Sequence, residues 1–273
     1  MTSPKTPLRI ALLQGPSGIP ADNDAGAAVL RAAAARAAEA GARLLITPEL
    51  SLTGYALGAA VADRAEPGDG PAAREVGRIA AEYGLAVVHG YPERSPESGV
   101  VHNTVQLTGP DGRTLARYRK THLYGGYERE AFTAGDEPVV QAELDGLRIG
   151  LLVCYDVEFP EAVRAHALAG TDLLAVPTAL MRPFDFVATT LVPARAWESQ
   201  LYVAYANRCG REGEFDFTGL SCLAAPDGTV PARAGEDGQL LVADVDPAAL
   251  AASRAANPYL ADRRPELYTT LTP

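Results

Sequence analysis

Short apolar runs that stop abruptly, each followed by a helix-forming stretch, govern what this chain can fold into. A run over 8–13 leads into an alanine-rich stretch over 25–40, a run over 43–47 leads to a helical pattern over 72–83, and a third run starts at 85. Strands joined by segments long enough to cross back predict parallel pairing with covering helices. The alanines favour helix and Asp22 or Asp24 can cap it, so the first helix is expected over 24–40. The middle of the chain changes character. Runs over 101–108 and 114–118 flank Gly109-Pro110-Asp111-Gly112, and runs over 139–144 and 147–153 flank Asp145-Gly146, both of which are hairpin signals. A helix over 160–169, a strand over 172–176, a helix over 186–198 and a strand over 201–206 resume the alternation, and strands near Leu220 and Leu240 finish it. The expected class is α/β, with mixed sheets and helices on their outer faces.

With 273 residues, 47% of them hydrophobic, the chain can bury one large core, and no Pro-, Gly- or Ser-rich linker or fixed-period repeat divides it. One domain is expected over 8–247. The extension over 248–273 is expected to pack on that domain or on a partner subunit, and its stretch over 257–273 has the Pro-rich, extended look of an arm laid over a neighbour. The 34 acidic against 24 basic residues leave a net charge of −10, without a local basic cluster, which opposes binding to nucleic acid or anionic membranes. No window approaches the roughly 20 apolar residues of a membrane span, and Met1 to Pro7 is unlike a signal peptide. Three cysteines fit a reduced, cytoplasmic protein better than a disulfide-stapled one.

Three strand ends carry chemistry. Cys154 follows the run 147–153 and precedes a helical pattern, so the thiol sits on a strand-to-helix corner; the following helix N-terminus is expected to favour thiolate. Glu49 lies in Thr47-Pro48-Glu49-Leu50 at the end of another strand, and Lys120 lies in Arg119-Lys120-Thr121-His122-Leu123 at the end of a third. In open α/β sheets such edges are where sites form. Together the three ends supply a base, a cation and a nucleophile.

Pro-Glu-Leu around Glu49, Tyr-Arg-Lys-Thr-His-Leu around Lys120 and Val-Cys-Tyr-Asp-Val-Glu-Phe-Pro-Glu around Cys154 resemble, in order, the three signatures of the nitrilase, or carbon–nitrogen hydrolase, superfamily. The resemblance runs from about Leu8 to Leu267. Within the superfamily it is nearest to 5-aminopentanamidase and related aliphatic amidases, through His89-Gly90-Tyr91-Pro92-Glu93-Arg94, through Pro177-Thr178-Ala179 to Pro183-Phe184-Asp185-Phe186, and through Pro258-Tyr259-Leu260-Ala261-Asp262.

That resemblance implies a four-layer αββα sandwich, no cofactor, and subunits paired as a homodimer or higher homo-oligomer. It also implies amide hydrolysis through a cysteine thioester, with Glu49 as base, Cys154 as nucleophile, and Lys120 with the backbone N–H of Tyr155 holding the oxyanion. The best single substrate is 5-aminopentanamide. A nitrile or an N-carbamoyl amine suits the same triad, and a non-catalytic binding or assembly protein of the same fold is the reading from another class. The chemistry demands that a free Glu near pKa 4.3 and a thiol near 8.5 be brought together by their surroundings.

Glu128, in Gly126-Tyr127-Glu128-Arg129-Glu130, aligns with a second acid that the superfamily often sets beside the lysine, although the same string also reads as an exposed turn. His122, two residues beyond Lys120, can approach the pocket rim. His89, His102 and His166 read as packing or surface residues, which leaves a Cys–His mechanism as a minor alternative. Asp185 is a candidate for binding a substrate ammonium and equally for capping the helix after it. Tyr55 and Trp197 can shape the pocket or simply pack. Asp156 and Glu158 read as local structural partners, no metal-binding spacing is present, and Gly15-Pro16-Ser17-Gly18 is not a nucleotide-binding glycine motif.

Overall fold

A computed structural model describes residues 6–269. Part of the N-terminal segment (1–5) and the last residues of the C-terminal extension (270–273) lie outside the described residues.

The first sheet has the order β14-β1-β2-β3-β4-β5. Its strands are β1 (Leu8–Gln14), β2 (Leu44–Ile46), β3 (Ala86–Arg94), β4 (Val101–Thr108), β5 (Thr114–Arg119) and β14 (Gln239–Val245). β1, β2 and β3 run parallel, whereas β4, β5 and β14 pair antiparallel. The second sheet has the order β13-β12-β9-β8-β7-β6. It contains β6 (Gln141–Leu144), β7 (Leu147–Leu151), β8 (Leu173–Thr178), β9 (Tyr202–Asn207), β12 (Cys222–Ala224) and β13 (Ala232–Arg233), with β7, β8 and β9 parallel. A separate hairpin joins β10 (Cys209–Glu212) to β11 (Phe215–Thr218).

Alternation along the strands builds the layers, because successive side chains leave a strand on opposite faces. Ile10, Leu12, Leu44, Ile46 and Val88 point into one core with Ile149, Leu151 and Leu173 of the second sheet. Their neighbours Ala11, Leu13, Leu45 and Val87 form a second core with α1 (Asn23–Glu39) and α3 (Pro71–Tyr83), through Leu30, Ala33, Ala34, Ala37, Val76 and Ile79. Asp22 caps α1 by accepting the Ala25 N–H, and Pro71 opens α3 where a missing N–H costs nothing. On the far side, α6 (Val192–Ser199) covers β9 and α5 (Pro160–Leu168) packs on α6. The result is a four-layer αββα sandwich of mixed sheets with helices outside.

The structure departs from the expected elements in four places. Residues 187–191 form a π turn ahead of α6 instead of one continuous helix; Pro193 cannot donate to the carbonyl four residues back, and the wider turn lies just upstream. The short helices α2 (Val61–Arg64) and α4 (Gly125–Ala131) were not foreseen, the second because Gly125-Gly126 disfavours helix. The β10–β11 hairpin was missed as well. Finally, α7 (Pro247–Ala256) starts at the expected domain boundary and buries Leu250 in the core between the sheets. No helix among the described residues is long and apolar enough to cross a membrane.

Candidate active site

Glu49, Lys120 and Cys154 follow the C-terminal ends of β2, β5 and β7, and the packing of the two sheets brings those ends together. The Glu49 N–H donates to the carbonyl of Thr178 at the end of β8, which ties the first sheet to the second beside the site (3.3 Å). Glycine at position 90 is required for this approach: a Cβ there would lie 2.5 Å from the Leu50 nitrogen. A buried Arg208–Glu212 pair holds the same turn from the other side. Arg208 donates Nε to the carbonyl of Glu49 (3.0 Å) and Nη2 to that of Leu50 (2.8 Å), while Glu212 Oε2 accepts the N–H groups of Tyr55 (2.7 Å) and Ala56 (3.1 Å).

Lys120 is fully buried between two carboxylates, with Nζ 2.8 Å from Glu49 Oε1 and 2.7 Å from Glu128 Oε1. Two of the three ammonium protons are therefore used and one remains. Glu128 also accepts from the Tyr55 hydroxyl (2.9 Å) and the Tyr124 N–H (2.8 Å), so the string that could have been an exposed turn is a helix with one buried acid on its inner face. Glu130 is exposed. Glu49 Oε1 takes a further hydrogen bond from Asn103 Nδ2 (2.6 Å), whereas Oε2, equally buried, has no partner.

These surroundings set the charges. Burial drives the Glu49 carboxyl up against the pull of Lys120, to about 7. Burial alone would lower Lys120, but Glu49 and Glu128 overcome it and hold the ammonium well above its ordinary range. Cys154 moves opposite to expectation. Burial, reinforced by the Glu49 charge, raises the thiol well above its usual value, and neither Lys120 nor a hydrogen bond from the Ala179 N–H reverses that. The expected help from a helix end is weak because a 3₁₀ turn, Cys154–Glu158, intervenes before α5. These surroundings favour the thiol over the thiolate.

Cys154 has φ of 47°, in the left-handed region that side chains rarely adopt. Asp156 anchors this elbow. Its buried carboxylate accepts from the Val153 N–H (3.0 Å), the Tyr118 hydroxyl (3.0 Å), the Thr121 hydroxyl (3.0 Å) and the His122 N–H (2.8 Å), so one side chain fixes the Cys154 turn to the segment that carries Lys120. Tyr155 lies in the first turn of the 3₁₀ segment, where a backbone N–H has no intrahelical acceptor.

Cys154 opens into a cavity of about 100 Å³, small beside the roughly 300–1,000 Å³ of drug-sized pockets. Tyr55 and Tyr155 line it as residues, with Tyr124, Phe184 and Glu158, which the sequence did not single out for the pocket. Three expected pocket residues lie elsewhere. His122 is drawn beneath the elbow by Asp156, 2.8 Å from its Nδ1, and its ring stacks on Phe159 with centroids 4.0 Å apart. Asp185 faces Arg182 at 4.0 Å, in a surface cluster where Arg182 also reaches Glu236, and it caps no helix. Trp197 packs on Tyr259, donating Nε1 to its hydroxyl (3.1 Å).

A thiol, a carboxylate and an ammonium at the sheet ends of an αββα sandwich define a hydrolase of the nitrilase superfamily. The model of the carbon–nitrogen hydrolase family matches residues 9–255, and the chain belongs to that family. It is 47% identical over 266 residues to the "Hydrolase in pqqF 5'region" of Pseudomonas protegens, covering 97% of this chain and 92% of the relative. It is 37% identical to an (R)-stereoselective amidase of a Pseudomonas species, covering 81% and 79% of the two chains. Among solved structures, a mutant of the amidase from Nesterenkonia sp. AN1 is 39% identical and superposes with a TM-score of 0.85 over 96% of each chain. That mutant bears the acetamide moiety of fluoroacetamide covalently on its active-site cysteine.

Proposed function

We propose that this enzyme is an amidase that converts a small linear amide to a carboxylate and ammonia through a thioester on Cys154, with 5-aminopentanamide as the substrate. The observation that carries the reading is the buried, unpartnered Oε2 of Glu49 in a cluster with Lys120, beside a thiol that opens into a small cavity. A base near pKa 7 is well matched to proton transfer at neutral pH. As Cys154 Sγ attacks the carbonyl carbon, Glu49 takes the thiol proton. The oxygen that becomes negative accepts from the remaining Nζ–H of Lys120 and from the Tyr155 N–H. The C–N bond then breaks, and the nitrogen leaves as ammonia with the proton from Glu49. Water adds to the thioester as Glu49 takes one of its protons, and cleavage of the C–S bond returns that proton to sulfur and frees the acid. Glu128 holds Lys120 and balances its charge.

The adduct on the cysteine of the Nesterenkonia amidase supports the nucleophile, and the size of the cavity supports a short, unbranched acyl chain. The test is ammonia release by wild type and Cys154→Ala from 5-aminopentanamide, pentanamide, pentanenitrile and an N-carbamoyl amine. Release from the amides that drops at least ~10⁴-fold in the variant is the expected result. Preference for the nitrile or the carbamoyl compound would move the substrate, and release independent of Cys154 would overturn the mechanism.

A further inference from the structure

The carboxylate of Glu158 accepts no hydrogen bond and forms no ion pair among the described residues, although it is half-buried and lines the cavity into which Cys154 opens. The neighbouring cations are committed elsewhere. Lys120 is held by Glu49 and Glu128, while Arg195 donates Nε to the carbonyl of Val157 (3.2 Å), Nη2 to the main-chain carbonyl of Glu158 (2.7 Å) and Nη1 to Glu198 (2.8 Å). The rest of the lining near Glu158 is apolar or aromatic: Tyr124, Tyr155, Leu180, Phe184 and Val187. No residue supplies this carboxylate with a direct cationic partner, so a ligand cation in the cavity would find it available. Tyr124 and Tyr155, whose rings meet edge to face at 5.2 Å, add the negative ring faces that attract an alkylammonium.

We propose that Glu158 is the specificity-determining residue of this site and that it binds a primary ammonium at the far end of the substrate's acyl chain. This rests on the reading of Cys154 as the nucleophile of an amidase. Glu158 lies four residues beyond Cys154 in a 3₁₀ turn, an axial rise of about 8 Å, which leaves room for a few methylenes between the reacting carbonyl and the ammonium. Burial raises the Glu158 carboxyl, as expected of an acid whose partner arrives with the ligand. The sequence pointed to Asp185 for this role, but Asp185 does not line the cavity and has Arg182 4.0 Å away.

The test compares 5-aminopentanamide with pentanamide, its uncharged counterpart, as substrates of wild type and Glu158→Gln and as calorimetric ligands of Cys154→Ala with and without Glu158→Gln. We expect wild type to favour the ammonium compound and Glu158→Gln to reduce the ratio of the two kcat/KM values about 10- to 100-fold, chiefly through KM. Binding to Cys154→Ala should lose preference by a similar factor, and Glu158→Asp should retain part of it. A ratio that Glu158→Gln leaves unmoved, in turnover and in binding, would overturn the proposal. If wild type cleaves neither amide yet Cys154→Ala binds the ammonium compound in a Glu158-dependent way, the subsite stands and the amidase reading falls. If turnover depends on Cys154 with no charge preference, the reverse holds.

Discussion

Two buried ionic clusters lie on either side of the Glu49 turn, and they are satisfied to different degrees. In the Arg208–Glu212 pair the named polar groups are committed: three guanidinium nitrogens donate, and both oxygens of Glu212 accept. In the Glu49–Lys120–Glu128 cluster one carboxylate oxygen has no partner, and one ammonium proton is left over, among the described residues. The first cluster, in which every side-chain nitrogen and oxygen has a partner, is saturated in that sense and fixes backbone. The second is deliberately incomplete, and its two unused valences match the two demands of acyl transfer, a proton acceptor and an oxyanion donor. Burial and charge alone do not separate the two clusters; a buried carboxylate oxygen left without a partner does.

Lys120→Met attacks the incomplete cluster and should have the largest effect of any change outside Cys154. Loss of an oxyanion donor is expected to lower kcat about 10²- to 10³-fold, measured as ammonia release, and two facing carboxylates without their cation will also share a proton. Arg208→Met attacks the saturated cluster, leaves the Glu212 carboxylate buried without its cation, and should cost about 3–5 kcal/mol in urea unfolding. If Arg208→Met reduced turnover as far as Lys120→Met while leaving stability untouched, the division of labour between the clusters would be wrong.

The smallest effect is the pH dependence. In the proposed mechanism Glu49 accepts a proton only when ionised, so kcat/KM should rise with pH through about 7, and Glu49→Gln should lack that limb. The sign for stability is the opposite. The folded carboxyl binds its proton more tightly than the unfolded one, so Glu49 contributes stability that is fully present below about 4.5 and lost as pH rises through about 7. A rate profile flat from pH 5 to 8 would remove Glu49 as the proton acceptor.

The ends of β2, β5 and β7 were legible in the sequence because apolar runs stop at fixed places and a reactive residue follows each. The αββα layering was not legible from periodicity, since alternation predicts which side chains share a face but not that a second sheet covers it; the family resemblance supplied that step. Glu128 was ambiguous because its neighbours Arg129 and Glu130 are exposed, and only its position on the inner face of α4 distinguishes it. Arg208 and Glu212 gave no signal at all, as their partners are backbone groups some 160 positions away in the chain. His122, Asp185 and Trp197 were sought in the pocket by proximity in sequence, and each was claimed instead by a nearer partner: Asp156, Arg182 and Tyr259.

The left-handed backbone of Cys154 has a further consequence. A side chain in that conformation is less favourable than glycine by about 1–2 kcal/mol. Glycine at position 154 would relieve that strain, but it would remove a side chain packed in the core and free the unfolded chain, so the exchange brings little stability in return. The corner thus holds its thiol at an angle that core packing, and not backbone preference, has to maintain.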